Sequence, residues 1–376
     1  MLDWRYNNPV GVYFGQGIVR KLSKVIGSRK ALLITTPGFT KRGVTSFLKR
    51  MLGDTMVGAL DMVLPNPTFE SIKSALNEIR QYDHECIIAL GGGSAIDTAK
   101  ALAAAETSND PDWIEDHLKS ERKVGNEFEP KPIIAIPTTS GSGSEVTMWG
   151  SIWDMEAKRK HSINHPSLYP ENALLDPELT LTLPGTQTVY CGLDALSHAM
   201  ESIWNKHHNP VSDIFAQRAI RLVLDFLPDL YQNLNDITLR TLLLKASLFA
   251  GLAFSNTKTA LAHSISYPLT AYFNLPHGLA ASLPLPHLIR FNRKMPSERM
   301  KVMAGAFGGR MDSEDIALEI LRLFEVLRIS PHLSDYGISE LTCAVIFEAA
   351  ITPDRSNNNI FEIGKSELEN LIRQLL

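Results

Sequence analysis

The chain has 376 residues, 44% hydrophobic and 21% charged, which describes a globular protein long enough for two or three domains. A formal net charge of −4 argues against a nucleic-acid or membrane-surface partner, and no run approaches the ~18 apolar residues of a spanning helix. The opening Met1-Leu2-Asp3-Trp4-Arg5 lacks a basic or apolar signal region. Cys86, Cys191 and Cys343 read as reduced, mostly buried thiols, so a cytoplasmic location is expected.

In the first half, short β-rich runs alternate with helical patterns. Val12-Tyr13-Phe14 precedes Gly15-Gln16-Gly17, and a helical stretch leads to a strand over 31–35. Pro37-Gly38 breaks that run, and a basic helix follows to about residue 51. A further strand spans 56–64, and a helix over 68–82 has Thr68 before it and Glu70 in its first turn. Cys86-Ile87-Ile88-Ala89-Leu90 is a continuous apolar run, as in a strand covered on both faces of a parallel sheet. A helix over 95–105, a polar and loop-rich region to Pro130 and a strand over 133–136 complete a doubly wound α/β pattern. Beyond Pro184 the texture turns helical, with periodic stretches at 211–231, 237–254, 300–306 and 315–327. Two domains are therefore expected: a Rossmann-like α/β domain over 1–183 and an all-α domain over 184–376, with a cleft between them as the site.

Gly91-Gly92-Gly93-Ser94-Ala95-Ile96-Asp97 follows a buried strand and opens a helix. Glycines let backbone N–H groups approach a phosphate, and the helix N-terminus adds partial positive charge. The same residues also suit a plain turn in which Ser94 caps the helix and Asp97 completes a capping box. Pro137-Thr138-Thr139-Ser140-Gly141-Ser142-Gly143-Ser144-Glu145 follows the next strand, where hydroxyls suit ribose and phosphate. Lys158-Arg159-Lys160-His161 reads equally as a solvated turn. In the second half, Asp194 and His198 are four apart, one above the other on a helix, and His263 and His277 follow. One such pair alone also suits a core histidine. Three imidazoles and a carboxylate together suit iron(II) or zinc(II), with room for a substrate oxygen. Lys258, five residues before His263, faces either an anionic substrate group or solvent.

These stretches resemble the iron-containing, or group III, alcohol dehydrogenases, a family that shares its architecture with dehydroquinate synthase and glycerol dehydrogenase. The likeness spans nearly the whole chain, from Phe14-Gly15-Gln16-Gly17 through GGGSAIDTAK, PTTSGSGSE and GLDALSHAMES to both later histidine motifs. The resemblance implies metal ligands at Asp194, His198, His263 and His277, pyrophosphate contacts at Gly92, Gly93 and Ser94, and nucleotide contacts at Asp97, Thr138, Thr139, Ser142 and Lys160. It also implies NAD(H) or NADP(H) as coenzyme, a small aldehyde or alcohol as substrate, and a homodimer.

Two departures matter. Many members carry a relay histidine four residues after the third ligand, where this chain has Tyr267, an acid of ordinary pKa about 10. Many NAD-specific members end the first βα turn with an aspartate that repels a 2′-phosphate. Here Thr36 stands there, with Lys41 and Arg42 near, which predicts tolerance of NADPH. Trp4-Arg5-Tyr6-Asn7-Asn8-Pro9, Thr35-Thr36-Pro37-Gly38-Phe39-Thr40 and the stretch from Asn256-Thr257-Lys258-Thr259 through His263 to Tyr267-Pro268 resemble the phosphonoacetaldehyde reductase (hydroxyethylphosphonate dehydrogenase) branch. That implies an aldehyde with an anionic tail, held by Lys258. Sulfoacetaldehyde or a neutral short-chain aldehyde is the alternative substrate, and a lyase of the dehydroquinate synthase type is the rival enzyme class.

Overall fold

The computed structural model describes residues 3–108, 110–120 and 128–376. By their contacts the residues form two units. One comprises Pro9–Thr139 with Ser144–Thr180; the other comprises Leu181–Leu376 with the N-terminal segment through Asn8 and the loop Ser140–Gly143.

The first unit is built on strands β1 (Gly11–Phe14), β2 (Ala31–Ile34), β3 (Met56–Leu60), β4 (Cys86–Gly91), β5 (Ile133–Pro137), β6 (Trp149–Asp154), β7 (Arg159–Asn164) and β8 (Asn172–Leu175). Six form one parallel sheet in the order β1-β8-β5-β4-β2-β3, while β6 and β7 pair as an antiparallel hairpin. Every residue of β2, β4 and β5 is buried, the pattern of strands covered on both faces. The chain winds outward from β2 to β3 and then returns across β2 to β4, so its direction reverses between β2 and β4. Open α/β sheets bind ligands beyond the carboxyl ends of strands at such a reversal. Pairing of Ile34 with Ala89 and of Gly91 with Pro137 brings those ends level, placing Thr36, the glycine turn and Pro137-Thr138-Thr139 side by side.

Three expectations change here. The polar region before Pro130 contains a helix, Trp113–Lys119; Asn109 and residues 121–127 of that region lie outside the described residues. The basic run is not a turn throughout. Lys158 makes the hairpin turn at φ 53°, and Lys160 and His161 already belong to β7. Ser94 does not cap the glycine-turn helix: Gly93–Ala105 begins two residues earlier than expected, with Gly92 at the N-cap.

The second unit is helical, and its core helix is Gly185–Ile203, in which every residue from Cys191 to Ile203 is buried. Pro210–Gln232 and Ile237–Thr257 pack against it, each started by a side-chain cap, Asn209 and Asp236 respectively. Contrary to the reading that no stretch approaches a membrane span, Ile237–Thr257 has the length and the mean hydropathy, 1.5. Its Leu243, Ala246, Ala250 and Ala253 lie in the core cluster of the unit, which accounts for that apolar composition. All three cysteines are buried free thiols.

Candidate active site

The helix Gly185–Ile203 presents Asp194 and His198 one turn apart on one face. His263 lies in the first turn of Leu261–Phe273, and His277 opens His277–Ser282. The next residue, Gly278, sits where a Cβ would lie 2.1 Å from Tyr190 O, so only glycine lets this short helix press His277 onto the first one. The ligand atoms of Asp194, His263 and His277 all lie within 4.8 Å of one another. His198 lies outside that set and borders it from the side. Its ring stacks on Phe254 and His263, at 4.1 and 4.4 Å between centroids, and its Nδ1 is 3.9 Å from Asp194 Oδ1.

Among the described residues, no hydrogen bond satisfies Asp194 Oδ1 or His263 Nε2, although both are buried. They face each other at 3.6 Å, too far for a hydrogen bond. Buried polar atoms are ordinarily paired, and a divalent cation shared by these groups removes the anomaly. The residues present therefore fit the metal that their composition implies. Burial would raise the Asp194 carboxyl, but His198, His263 and His277 hold it well below the usual carboxylate range.

Glu201, not singled out from sequence, organises this pocket. It is fully buried on the same helix, seven residues after Asp194. Its Oε2 accepts from Ala260 N at 2.9 Å and from His263 Nδ1 at 2.6 Å. Its Oε1 accepts from Ala262 N and His263 N. One carboxylate thus caps the N-terminus of Leu261–Phe273 and fixes the His263 tautomer, leaving Nε2 to face Asp194. Burial lowers the His263 pKa, but Glu201 and Asp194 outweigh it and push it up to about 9. The available sequence signal was a glutamate two turns from Asp194 in an otherwise apolar helix.

Tyr267 follows His263 by one turn, and its ring stacks on that of His277 at 6.4 Å. Its Oη accepts a hydrogen bond from Arg355 Nε at 3.2 Å. Lys258 does not join this group. Its residue is the exposed C-cap of Ile237–Thr257 at φ 64°, and its carbonyl accepts from Asn205 Nδ2 at 3.2 Å.

In the α/β unit, Gly91 turns at φ 155° and Gly92 begins the helix Gly93–Ala105, so successive backbone N–H groups open at its N-terminus. A Cβ on Gly92 would sit 3.1 Å from Thr139 Cγ2, and Thr138 N donates to Gly91 O at 3.0 Å. Ser94 Oγ accepts from Asn66 N at 3.2 Å. Thr36 caps a short helix, Pro37–Lys41, and its Cγ2 lies 3.9 Å from where a Gly91 Cβ would be. Lys160 lies over the Trp153 ring at 5.9 Å. Ser142 belongs to the loop that clusters with the helical unit, and two glycines of that loop serve packing. A Cβ on Gly141 would meet Cys191 O at 2.6 Å, and one on Gly143, at φ 59°, would meet Gly251 Cα at 2.6 Å.

Asp97 works as a tie: Oδ1 accepts from Ser144 Oγ at 2.6 Å and Oδ2 from Ser151 N at 3.1 Å. Beneath it Lys100 is fully buried. Its Nζ donates to Ser144 O at 2.7 Å, Ser144 Oγ at 3.0 Å, Thr147 Oγ1 at 3.2 Å and Trp149 O at 2.9 Å. Burial pulls its pKa down to about 8 against Asp97 and Glu145. Lys100→Met leaves those acceptors unsatisfied and is expected to lower stability by about 2–4 kcal/mol, read as a urea midpoint shift.

Residues 9–177 match the family described as iron-containing alcohol dehydrogenase, and residues 188–376 match its C-terminal counterpart, the Fe-containing alcohol dehydrogenase family. The NADPH-dependent butanol dehydrogenase of Clostridium saccharobutylicum is 30% identical over 381 residues, covering 98% of this chain and 96% of that one. The 1,3-propanediol dehydrogenase of Citrobacter freundii is 30% identical over 369 residues, covering 95% and 94%. The crystal structure of sulfoacetaldehyde reductase from Bifidobacterium kashiwanohense in complex with NAD+ has a TM-score of 0.93 at 30% identity, over 100% of this chain and 99% of that one. Matched in both units and aligned with such relatives over nearly its full length, the chain belongs to the iron-containing alcohol dehydrogenase family and is an alcohol dehydrogenase or aldehyde reductase.

Proposed function

We propose that this enzyme uses NADH or NADPH to reduce a small aldehyde with an anionic tail, phosphonoacetaldehyde to 2-hydroxyethylphosphonate, with sulfoacetaldehyde as the second reading. The observation that carries an aldehyde-reducing site is the buried Asp194–His263 pair, whose Oδ1 and Nε2, without a hydrogen bond among the described residues, one bound cation would satisfy together. The anionic tail is supported by the N-terminal and Asn256-Thr257-Lys258-Thr259 motifs. The second reading is favoured by the likeness to the sulfoacetaldehyde reductase structure.

When bound, iron(II) or zinc(II) supplies Lewis-acid chemistry to a carbonyl and the dinucleotide supplies hydride. The chain's own residues prepare both sites. Asp194 and the three histidines would hold the metal, and Glu201 keeps His263 Nδ1 protonated so that Nε2 is the ligating atom. The N–H groups that follow Gly91 would bind the pyrophosphate. Tyr267 Oη, which accepts from Arg355, is placed to donate its proton to the product oxygen.

The test is a panel of phosphonoacetaldehyde, sulfoacetaldehyde, succinic semialdehyde and propanal, each with NADH and NADPH, followed at the nicotinamide absorbance. A lyase of the dehydroquinate synthase type would consume no reduced coenzyme, and that result would end the reading. The coenzyme side has its own expected outcome. Thr36 presents no negative charge to a 2′-phosphate, so NADPH supports turnover, and Thr36→Asp lowers kcat/KM for NADPH by at least about tenfold while sparing NADH. A strict NADH preference in the unaltered enzyme would contradict it.

A further inference from the structure

The geometry points to Arg355, held in place by Tyr267, as the receptor for the anionic tail of the substrate, the part that Lys258 is too exposed to play. This inference rests on the aldehyde-reductase reading and names the group that would give it its substrate class.

Bond lengths of about 1.5 Å put the tail oxygens of a two-carbon aldehyde roughly 4–5 Å from its carbonyl oxygen, so a tail receptor must lie within one side chain of the metal ligands. Arg355 is linked to the metal ligands through one intervening side chain, Tyr267. Its Nε donates to Tyr267 Oη at 3.2 Å, and the Tyr267 ring stacks on the ligand His277. His277 is also the open side of the metal pocket. Its side chain is 27% exposed, against 9% for Asp194 and 2% for His263, and its ring is the one on which Tyr267 stacks.

The arginine is not a loose surface cation. It sits on a short helix, Pro353–Ser356, which is clasped on both sides to the segment carrying His263. Ser264 Oγ lies 2.7 Å from Thr352 Oγ1 and accepts from Thr352 N at 3.0 Å. On the far side Asn358 Nδ2 donates to Thr259 O at 2.8 Å. Arg355 Nη1 is further fixed on Asp354 O at 3.2 Å. Burial works against the guanidinium charge, but the hydrogen bond to Tyr267 and the carboxylates of Asp354 and Glu201 favour the protonated group. A half-buried, pre-oriented guanidinium matches the fork geometry of sulfonate, phosphonate or carboxylate oxygens.

The decisive quantity is the ratio of kcat/KM for an anionic aldehyde to that for propanal, measured on enzyme of matched metal content. Arg355→Gln is expected to lower this ratio about 10- to 100-fold through KM of the anionic aldehyde, and Arg355→Lys to recover part of it. An unchanged ratio overturns the inference. Whether the largest fall occurs with sulfoacetaldehyde, phosphonoacetaldehyde or succinic semialdehyde identifies the tail. A binding measurement on the unaltered enzyme keeps the inference testable even if the variants fold poorly. Ethanesulfonate and ethylphosphonate should inhibit propanal reduction at concentrations at least about tenfold below those of the uncharged ethyl methyl sulfone; equal inhibition refutes it. Failure of the unaltered enzyme to reduce any aldehyde overturns the function itself. Reduction of propanal as efficiently as its anionic counterparts overturns Arg355 alone.

Discussion

Asp194→Ala yields a protein that folds but binds no divalent metal and reduces aldehydes at least about 10³-fold more slowly, because the stabilisation that a metal gives to developing charge is worth several kcal/mol. The physical reason is charge. Asp194 contributes the only carboxylate in the cluster of ligand atoms, and without it three imidazoles would have to share a dication in a buried pocket. No hydrogen bond among the described residues depends on its Oδ1. Metal content by elemental analysis and a thermal melt separate the two outcomes. Full activity in a metal-free variant would remove the site from the mechanism.

Glu201→Gln is expected to weaken metal binding about 10- to 100-fold, the usual effect of removing a partner behind a ligating histidine. An amide retains one acceptor oxygen for the helix N-terminus but loses the negative charge that holds a proton on His263 Nδ1. Glu201→Ala goes further. It strips Ala260 N, Ala262 N and His263 Nδ1 of their acceptor together, and costs about 3–5 kcal/mol of stability. The order Glu > Gln > Ala in metal affinity, by competition with a chelator, checks the assignment. A Gln variant that binds metal as tightly as the parent would reduce Glu201 to a helix cap.

The elements that sequence made legible were those encoded locally. Continuous apolar runs marked β2, β4 and β5, and three glycines after β4 marked a turn whose N–H groups open onto the strand ends. The four-residue spacing of Asp194 and His198 put both on one helical face, and the structure adds His263 and His277 to them. What escaped was set by contacts distant in the chain. Glu201 acts on residues about sixty positions later, and Arg355 reaches Tyr267 across 88 positions, so neither partner could be read from spacing. Lys258 was placed near the metal by counting helical turns back from His263. That count assumes one continuous helix, whereas the chain turns left-handed at Lys258 before the next helix begins at Leu261. Ser94 was read as a cap because serine favours that position, but Gly92 needs no side chain to start the helix.

The Glu201 contacts also bear on what holds the ligands in place. Metallo-domains whose ligands gather only around the ion unfold when it is removed. Here His263 is aimed by a carboxylate that belongs to the protein, and His277 by the approach of Gly278 to Tyr190. Two of the ligands are thus held by contacts within the protein, whatever ion they receive, and the choice of ion rests with its supply.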